Sequence, residues 1–162
     1  MKVNKIYLDM DGVLCNFEKR YFDLFNETPG SSRDRKEFSQ NWTDFIVGNN
    51  FEHLELFPGA LELLSYVRKT GIDIEILTSS GGKKYHDLVA NQKDVWLKKQ
   101  GIAYKRNVVP GRKIKSEYAA EGVVLIDDTP DVIDGFNRAG GIGILHKDIG
   151  ETLQTLDGLL AS

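Results

Sequence analysis

Short apolar runs that stop abruptly at polar residues recur along this chain. Ile6-Tyr7-Leu8 ends at Asp9, the alternating run 72–77 (Ile-Asp-Ile-Glu-Ile-Leu) ends at Thr78-Ser79-Ser80-Gly81-Gly82, and Val123-Val124-Leu125-Ile126 ends at Asp127-Asp128. Gly141-Ile142-Gly143-Ile144-Leu145 forms a fourth run after a Gly-Gly break. Apolar runs of this length, bounded by flexible or polar residues, predict strands. Helical spacing fills the intervals. Pro58 suits a first turn, Leu61, Leu64 and Val67 follow on one face, and Gly71 fits the position after the last turn; a second helix, from about 84 to 100, carries Leu88, Val89, Val95, Trp96 and Leu97 and closes at Gly101. Strands alternating with helices predict an α/β fold with a doubly wound parallel sheet covered on both faces.

Residues 16–57 break that alternation. Phe17, Tyr21, Leu24 and Phe25 repeat at helical spacing, Thr28-Pro29-Gly30-Ser31-Ser32 interrupts, and Phe38, Trp42, Phe45 and Ile46 repeat the pattern. The segment reads as a small helical cap, 16–57, inserted after the first strand of a core made of 1–15 and 58–162. Because it begins a few residues beyond Asp11, it should hang over the strand tips, where lids exclude water and select substrates. Its aromatic side chains either fill the insert's own core or stack on a substrate ring; Phe17, Trp42 and Phe45 are the candidates for the second task.

The chemistry gathers where the strands stop. Asp9 and Asp11 at the carboxyl end of a strand lie in the crevice where open α/β sheets bind ligands, and their mutual repulsion demands a cation. The 162 residues suit one domain with a small insert, and 41% hydrophobic with 28% charged residues is ordinary for a soluble globular protein. No apolar run approaches the roughly 20 residues that span a bilayer, and no signal-peptide pattern opens the chain, so the expected setting is cytoplasmic, away from membranes. A net charge of -3 gives no case for duplex nucleic acid, although Lys98, Lys99, Lys105, Arg106, Arg112, Lys113 and Lys115 form a basic stretch that faces either a phosphate or solvent. The lone Cys15 excludes an internal disulfide and a cysteine-based zinc site, and reads as a buried structural thiol rather than a nucleophile. His53, His86 and His146 show no metal-ligand spacing, with His86 near enough to the second motif to touch substrate.

Asp9-Met10-Asp11-Gly12-Val13-Leu14, then Leu77-Thr78-Ser79, then Lys115, then Leu125-Ile126-Asp127-Asp128 resemble, in order and spacing, the four motifs of the haloacid dehalogenase (HAD) superfamily of phosphotransferases. The first motif followed by Phe17, together with Phe57-Pro58-Gly59-Ala60 and the run toward Trp96, is similar to the 5'(3')-deoxyribonucleotidase family. The resemblance implies a HAD-like, Rossmann-like core and a magnesium-dependent phosphomonoesterase acting on a small phosphorylated substrate, a deoxyribonucleoside 5'- or 3'-monophosphate. It implies Asp9 as nucleophile and metal ligand, Asp11 as acid and base bound to Mg2+ through its backbone carbonyl, and Asp127 as metal ligand. Asp128 completes the shell through water, and Thr78, Ser79 and Lys115 hold the phosphoryl group. Lys113 is the alternative to Lys115, which directly precedes a short helical segment at 116–120.

A carboxylate attacking an anionic phosphate needs both charges screened, and a hard octahedral cation does this with few protein oxygens. Asp11, to carry protons, should point its carboxyl group away from the metal. Asp127-Asp128 before Thr129-Pro130 also reads as a helix cap, and Asp131 as a first-turn partner of the helix dipole. Other readings stay open: a phosphatase for nucleic-acid 3' ends or sugar phosphates, or a non-catalytic phosphoryl-binding module. The oligomeric state is not legible.

Overall fold

β1 (Lys5–Leu8) is four residues long and carries three buried side chains, so it belongs in the middle of a sheet. The computed structural model describes residues 2–31 and 34–161 and places it there. β2 (Asp73–Ser79) lies on one side of β1 and β4 (Val123–Asp127) on the other; β3 (Lys105–Val109) and β5 (Ile142–Leu145) complete the five-stranded order β3-β2-β1-β4-β5. Every pairing is parallel, with Leu8 level with Ile76 and Ile126. The chain leaves β1 for β2 and later returns past β1 to β4, so the strand order reverses beside β1, where doubly wound sheets bind ligands.

The crossovers are α3 (Ala60–Lys69), α4 (His86–Lys99) and α5 (Pro130–Arg138), and α6 (Ile149–Leu160) follows β5. β3 and α6 were not anticipated. β3, Lys-Arg-Asn-Val-Val, is an edge strand whose charged residues hide its pairing potential. The core face of α3 is Leu63, Leu64 and Val67, while Leu61 is exposed; α4 likewise buries Val89, Trp96 and Leu97 and leaves Leu88 exposed.

The insert holds α1 (Phe17–Phe25), α2 (Arg35–Val47) and a 3₁₀ turn (Asn50–His53). Its two connections meet at the base: the Asn16 N–H donates to the Glu55 carbonyl and the Phe57 N–H to the Leu14 carbonyl, beside an antiparallel bridge between Cys15 and Leu56. Its interior is continuous with that of the sheet. Tyr21, Phe45, Ile46 and Phe51 belong to one buried cluster with Ile6, Leu8 and Trp96. Gln92 donates to the Ile46 carbonyl and Trp96 Nε1 to the Leu54 carbonyl, which fastens the insert to α4. The cap is thus a subsidiary layer of one core, with Phe22, Leu24 and Val47 exposed on its outer side.

Candidate active site

Past the tip of β1 the backbone turns sharply. The N–H groups of Val13, Leu14 and Cys15 converge on the Met10 carbonyl, and Gly12 takes the left-handed conformation (φ 82°) that favours glycine. A Cβ at Gly12 would lie 2.0 Å from Asp128 Oδ2, so the turn lets the first and fourth motifs approach through bare backbone.

Asp9, Asp127 and Asp128 each offer an oxygen, and the three lie within 4.8 Å of one another. Asp9 and Asp127 are buried, and Asp128 is exposed. Burial first, then the charge of Asp127, pushes the Asp9 carboxyl well above the usual range, against the opposing pull of Lys115. Asp128 reaches solvent at the cleft, yet partial burial of its carboxyl group first, and then the charges of Asp127 and Asp11, push it up to about 6. The Lys115 ammonium lies 3.0 Å from Asp9 Oδ1 and 2.6 Å from Asp127 Oδ2. Burial alone would lower its proton affinity; the two carboxylates outweigh that and raise it. The other Asp127 oxygen accepts from the Thr129 N–H, so this residue both caps the turn into α5 and faces the cluster.

Lys113, the alternative phosphate ligand, is exposed, and Lys115 sits within a 3₁₀ turn (Arg112–Tyr118) rather than ahead of a helix. Elsewhere in the basic stretch Lys98 and Arg106 pair with Asp94; Arg112 lines the cleft and meets Asp131 at 3.1 Å. Asp131 therefore pairs with a side chain as well as opening α5.

Asp11 stands apart from the acidic cluster. Its Oδ2 is 3.1 Å from Lys93 Nζ, and its Oδ1 accepts from the Cys15 thiol at 3.3 Å. Cys15 is fully buried, and burial followed by the Asp11 charge pushes its thiol well up, the profile of an unreactive cysteine. Thr78 departs from expectation: it is completely buried, its hydroxyl accepts from Lys93 at 2.6 Å, and Ser79, not Thr78, reaches the cleft wall. Strand alternation explains this, since adjacent residues on β2 face opposite ways.

Lys93 itself was missed by sequence reasoning. It lies mid-helix among residues chosen for their helical spacing; the one signal available was a lysine on the buried face of α4, in line with Val89 and Trp96 at i−4 and i+3.

A cleft of about 730 Å³ opens above these groups, lined by Asp9, Asp11, Ser79, Lys115 and Asp128 from the strand tips and by Phe17 and Trp42 from the cap. Phe45 does not line it. It is wholly buried, its ring 5.1 Å from Phe17 and stacked 6.5 Å from Trp42, and this corrects its candidacy for substrate stacking: it backs the two rings that reach the cleft. Trp42 packs so tightly on Gly81 that a Cβ there would lie 2.7 Å from the indole. His86 bonds Ser80 in a separate shallow pocket, His53 is exposed, and His146 is buried against Thr152 with burial lowering its proton affinity. Among the described residues no helix is long and apolar enough to cross a membrane.

The fold is shared widely. A hydrolase from Streptococcus pneumoniae superposes with a TM-score of 0.57 at 20% identity, over 97% of this chain and 100% of the other. The HAD-hydrolase YfnB from Bacillus subtilis, whose structure is described as bound to magnesium, gives 0.60 at 15% identity over 100% of both chains. A hydrolase from Pseudomonas syringae gives 0.52 at 16% identity, over 96% and 98%. No curated protein matches the sequence significantly. The family comparison is decisive: residues 2–149 match the family described as 5' nucleotidase, deoxy (pyrimidine), cytosolic type C. With four acidic residues and two buried lysines gathered at the tips of a HAD-type sheet, this chain is a phosphatase and belongs to that deoxynucleotidase family.

Proposed function

We propose that the protein hydrolyses deoxyribonucleoside monophosphates with Mg2+ through an aspartyl-phosphate intermediate. The observation that carries this reading is the charge balance at the strand tips. Among the described residues the ion pairs of Asp9, Asp11, Asp127 and Asp128 are with Lys93 and Lys115, while Arg112 at the cleft edge is paired with Asp131; this leaves two uncompensated negative charges when all are ionised, and one divalent cation neutralises them. All donors in the cluster are carboxylate oxygens, which suit a hard cation. Asp9 and Asp127, with the Asp11 backbone carbonyl and Asp128 at the margin, would hold it. Bound there, Mg2+ supplies charge stabilisation for the transferring phosphoryl group.

The rest is the work of the chain's own residues. The Asp9 carboxylate attacks phosphorus, forming the acyl–phosphate bond as the ester P–O bond breaks, and Asp11 gives its proton to the departing ester oxygen. Asp11 then takes a proton from the water that attacks the aspartyl phosphate, and inorganic phosphate leaves while Asp9 is restored. Lys115, one hydrogen bond from Asp9, offsets charge on nucleophile and phosphoryl group, and Ser79 faces the phosphoryl oxygens from β2. Phe17 and Trp42 form the aromatic wall on which a base would stack; family membership supports the nucleotide assignment.

The test is turnover. Purified protein with Mg2+ should hydrolyse p-nitrophenyl phosphate, Asp9→Asn should abolish it, and deoxynucleoside monophosphates should outpace sugar phosphates and 3'-phosphorylated oligonucleotides. Equal rates across that panel defeat the nucleotide assignment; full activity in Asp9→Asn defeats the nucleophile.

A further inference from the structure

No step of the proposed reaction uses Lys93, the more deeply buried of the two site lysines. Lys93 is 1% exposed, and its ammonium meets Asp11 Oδ2 at 3.1 Å, Thr78 Oγ1 at 2.6 Å and the Ser79 carbonyl oxygen at 2.8 Å. An ammonium has three N–H donors and no acceptor, so these three partners use it completely. None remains for a substrate oxygen, and Lys93 is not on the cleft wall. The Phe51 ring, 5.2 Å away, lies beneath the ammonium from the cap side.

We infer that Lys93 is a positioning residue for Asp11: from α4 it ties the acid–base carboxyl group to the tip of β2 and keeps it out of the acidic cluster. The inference rests on Asp11 being the proton carrier. The backbone at Asp11 is already held by the turn onto the Met10 carbonyl, so side-chain rotation is the freedom left. Lys93 takes one carboxylate oxygen and the Cys15 thiol the other, which removes that rotation. Released, the carboxylate would turn toward a cation held by Asp9, Asp127 and Asp128 and become a ligand, and a ligand bound through its carboxylate is a poor proton carrier. Thr78 then has a different purpose from the one expected of it: its hydroxyl anchors the ammonium from below.

The test is a pair of double-variant comparisons with Lys93→Met and Asp11→Asn, using phenyl phosphate, whose leaving group needs a proton, and p-nitrophenyl phosphate, whose leaving group needs little help. Lys93→Met should lower kcat on phenyl phosphate by on the order of 10²-fold, the lower end of what a placed acid–base group contributes. The loss should be smaller on p-nitrophenyl phosphate, and KM should stay within about 3-fold. Added to Asp11→Asn, the same substitution should change kcat less than about 3-fold, because residues acting as a unit are not additive.

An equal loss in both backgrounds, or a raised KM at unchanged kcat, overturns the inference, since either means that the ammonium acts without Asp11. Where Lys93→Met does not fold, judged by its melting curve, Lys93→Arg decides: it keeps the charge but not the three-pronged fit. A kcat loss larger on phenyl phosphate supports the inference, and wild-type kcat on both substrates overturns it. Failure of the underlying reading shows separately, as wild-type turnover in the Asp11→Asn single variant, and failure of the nucleotide assignment shows only in the substrate panel.

Discussion

Lys115→Met is the sharpest test of the electrostatics. The ammonium is 3% exposed and bonded to two buried carboxylates, Asp9 at 3.0 Å and Asp127 at 2.6 Å. Removing one partner of a buried pair leaves an uncompensated charge and costs about 3–5 kcal/mol. For a domain of this size each kcal/mol moves Tm by roughly 2–4 °C, so the variant should melt about 6–20 °C below wild type. Methionine keeps most of the side-chain volume, so little of the loss comes from a cavity.

The cost is one of charge, which fixes its sign with pH. A carboxyl group raised in the folded state, as burial and Asp127 raise Asp9, costs stability above its unfolded value, and the cost vanishes as pH falls. Protons then take the place of the missing ammonium, so the gap to wild type should narrow from pH 8 to pH 5. Thermal melting in EDTA at both pH values, with Lys115→Met/Asp9→Asn alongside, is the assay; the double variant should regain part of the loss because one of the stranded carboxylates is gone. A Tm drop under about 2 °C at pH 8, or no narrowing at pH 5, refutes the reasoning.

Three further outcomes follow from the geometry. Gly12→Ala should cost more than about 1 kcal/mol, because φ is 82°, and should weaken Mg2+ binding, because its Cβ displaces the Asp128 carboxylate; unchanged Mg2+ affinity by titration calorimetry counts against a place for Asp128 beside the metal. Since Asp128 is pushed up to about 6, protons should compete with the cation, so Mg2+ affinity should fall as pH drops through 6, and a constant Kd between pH 7.5 and 5 argues against this site. Trp42→Ala should raise KM for a preferred nucleotide by about 5- to 150-fold, the equivalent of about 1–3 kcal/mol of base stacking, and leave KM for p-nitrophenyl phosphate nearly unchanged; parallel increases for both substrates place the indole in the fold alone.

What could be read from the chain divides along a physical line. β1 and β4 were legible because strands buried on both faces need unbroken apolar runs, β2 because its isoleucines alternate with Asp73 and Glu75, and each run ends where the chemistry begins. β3 was not, since an edge strand tolerates an exposed Lys105 and a half-buried Arg106 paired with Asp94, and so opens with no apolar signature. Within the site, Asp9, Asp11, Lys115 and Asp127 lie at points where chain order and spacing are themselves the signal. The assignments that failed were those that depend on which way a side chain turns. Phe45 and Trp42 sit three residues apart on one helix, yet one is sealed in the core and the other meets the cleft.

Lys93 shows why that limit matters for mechanism. A lysine in the middle of a helix reads as a solvated charge, and only the convergence of α4 with the tips of β1 and β2 turns it into a buried donor with all three hydrogens engaged. Such a charge is tolerated because Asp11 and two oxygens from β2 replace the water it loses, and those same bonds orient Asp11. The nucleophile's surroundings are built within the strands and could be anticipated from sequence. The proton carrier's orientation depends on a contact 82 residues away along the chain, which appears only when the helix has packed against the sheet.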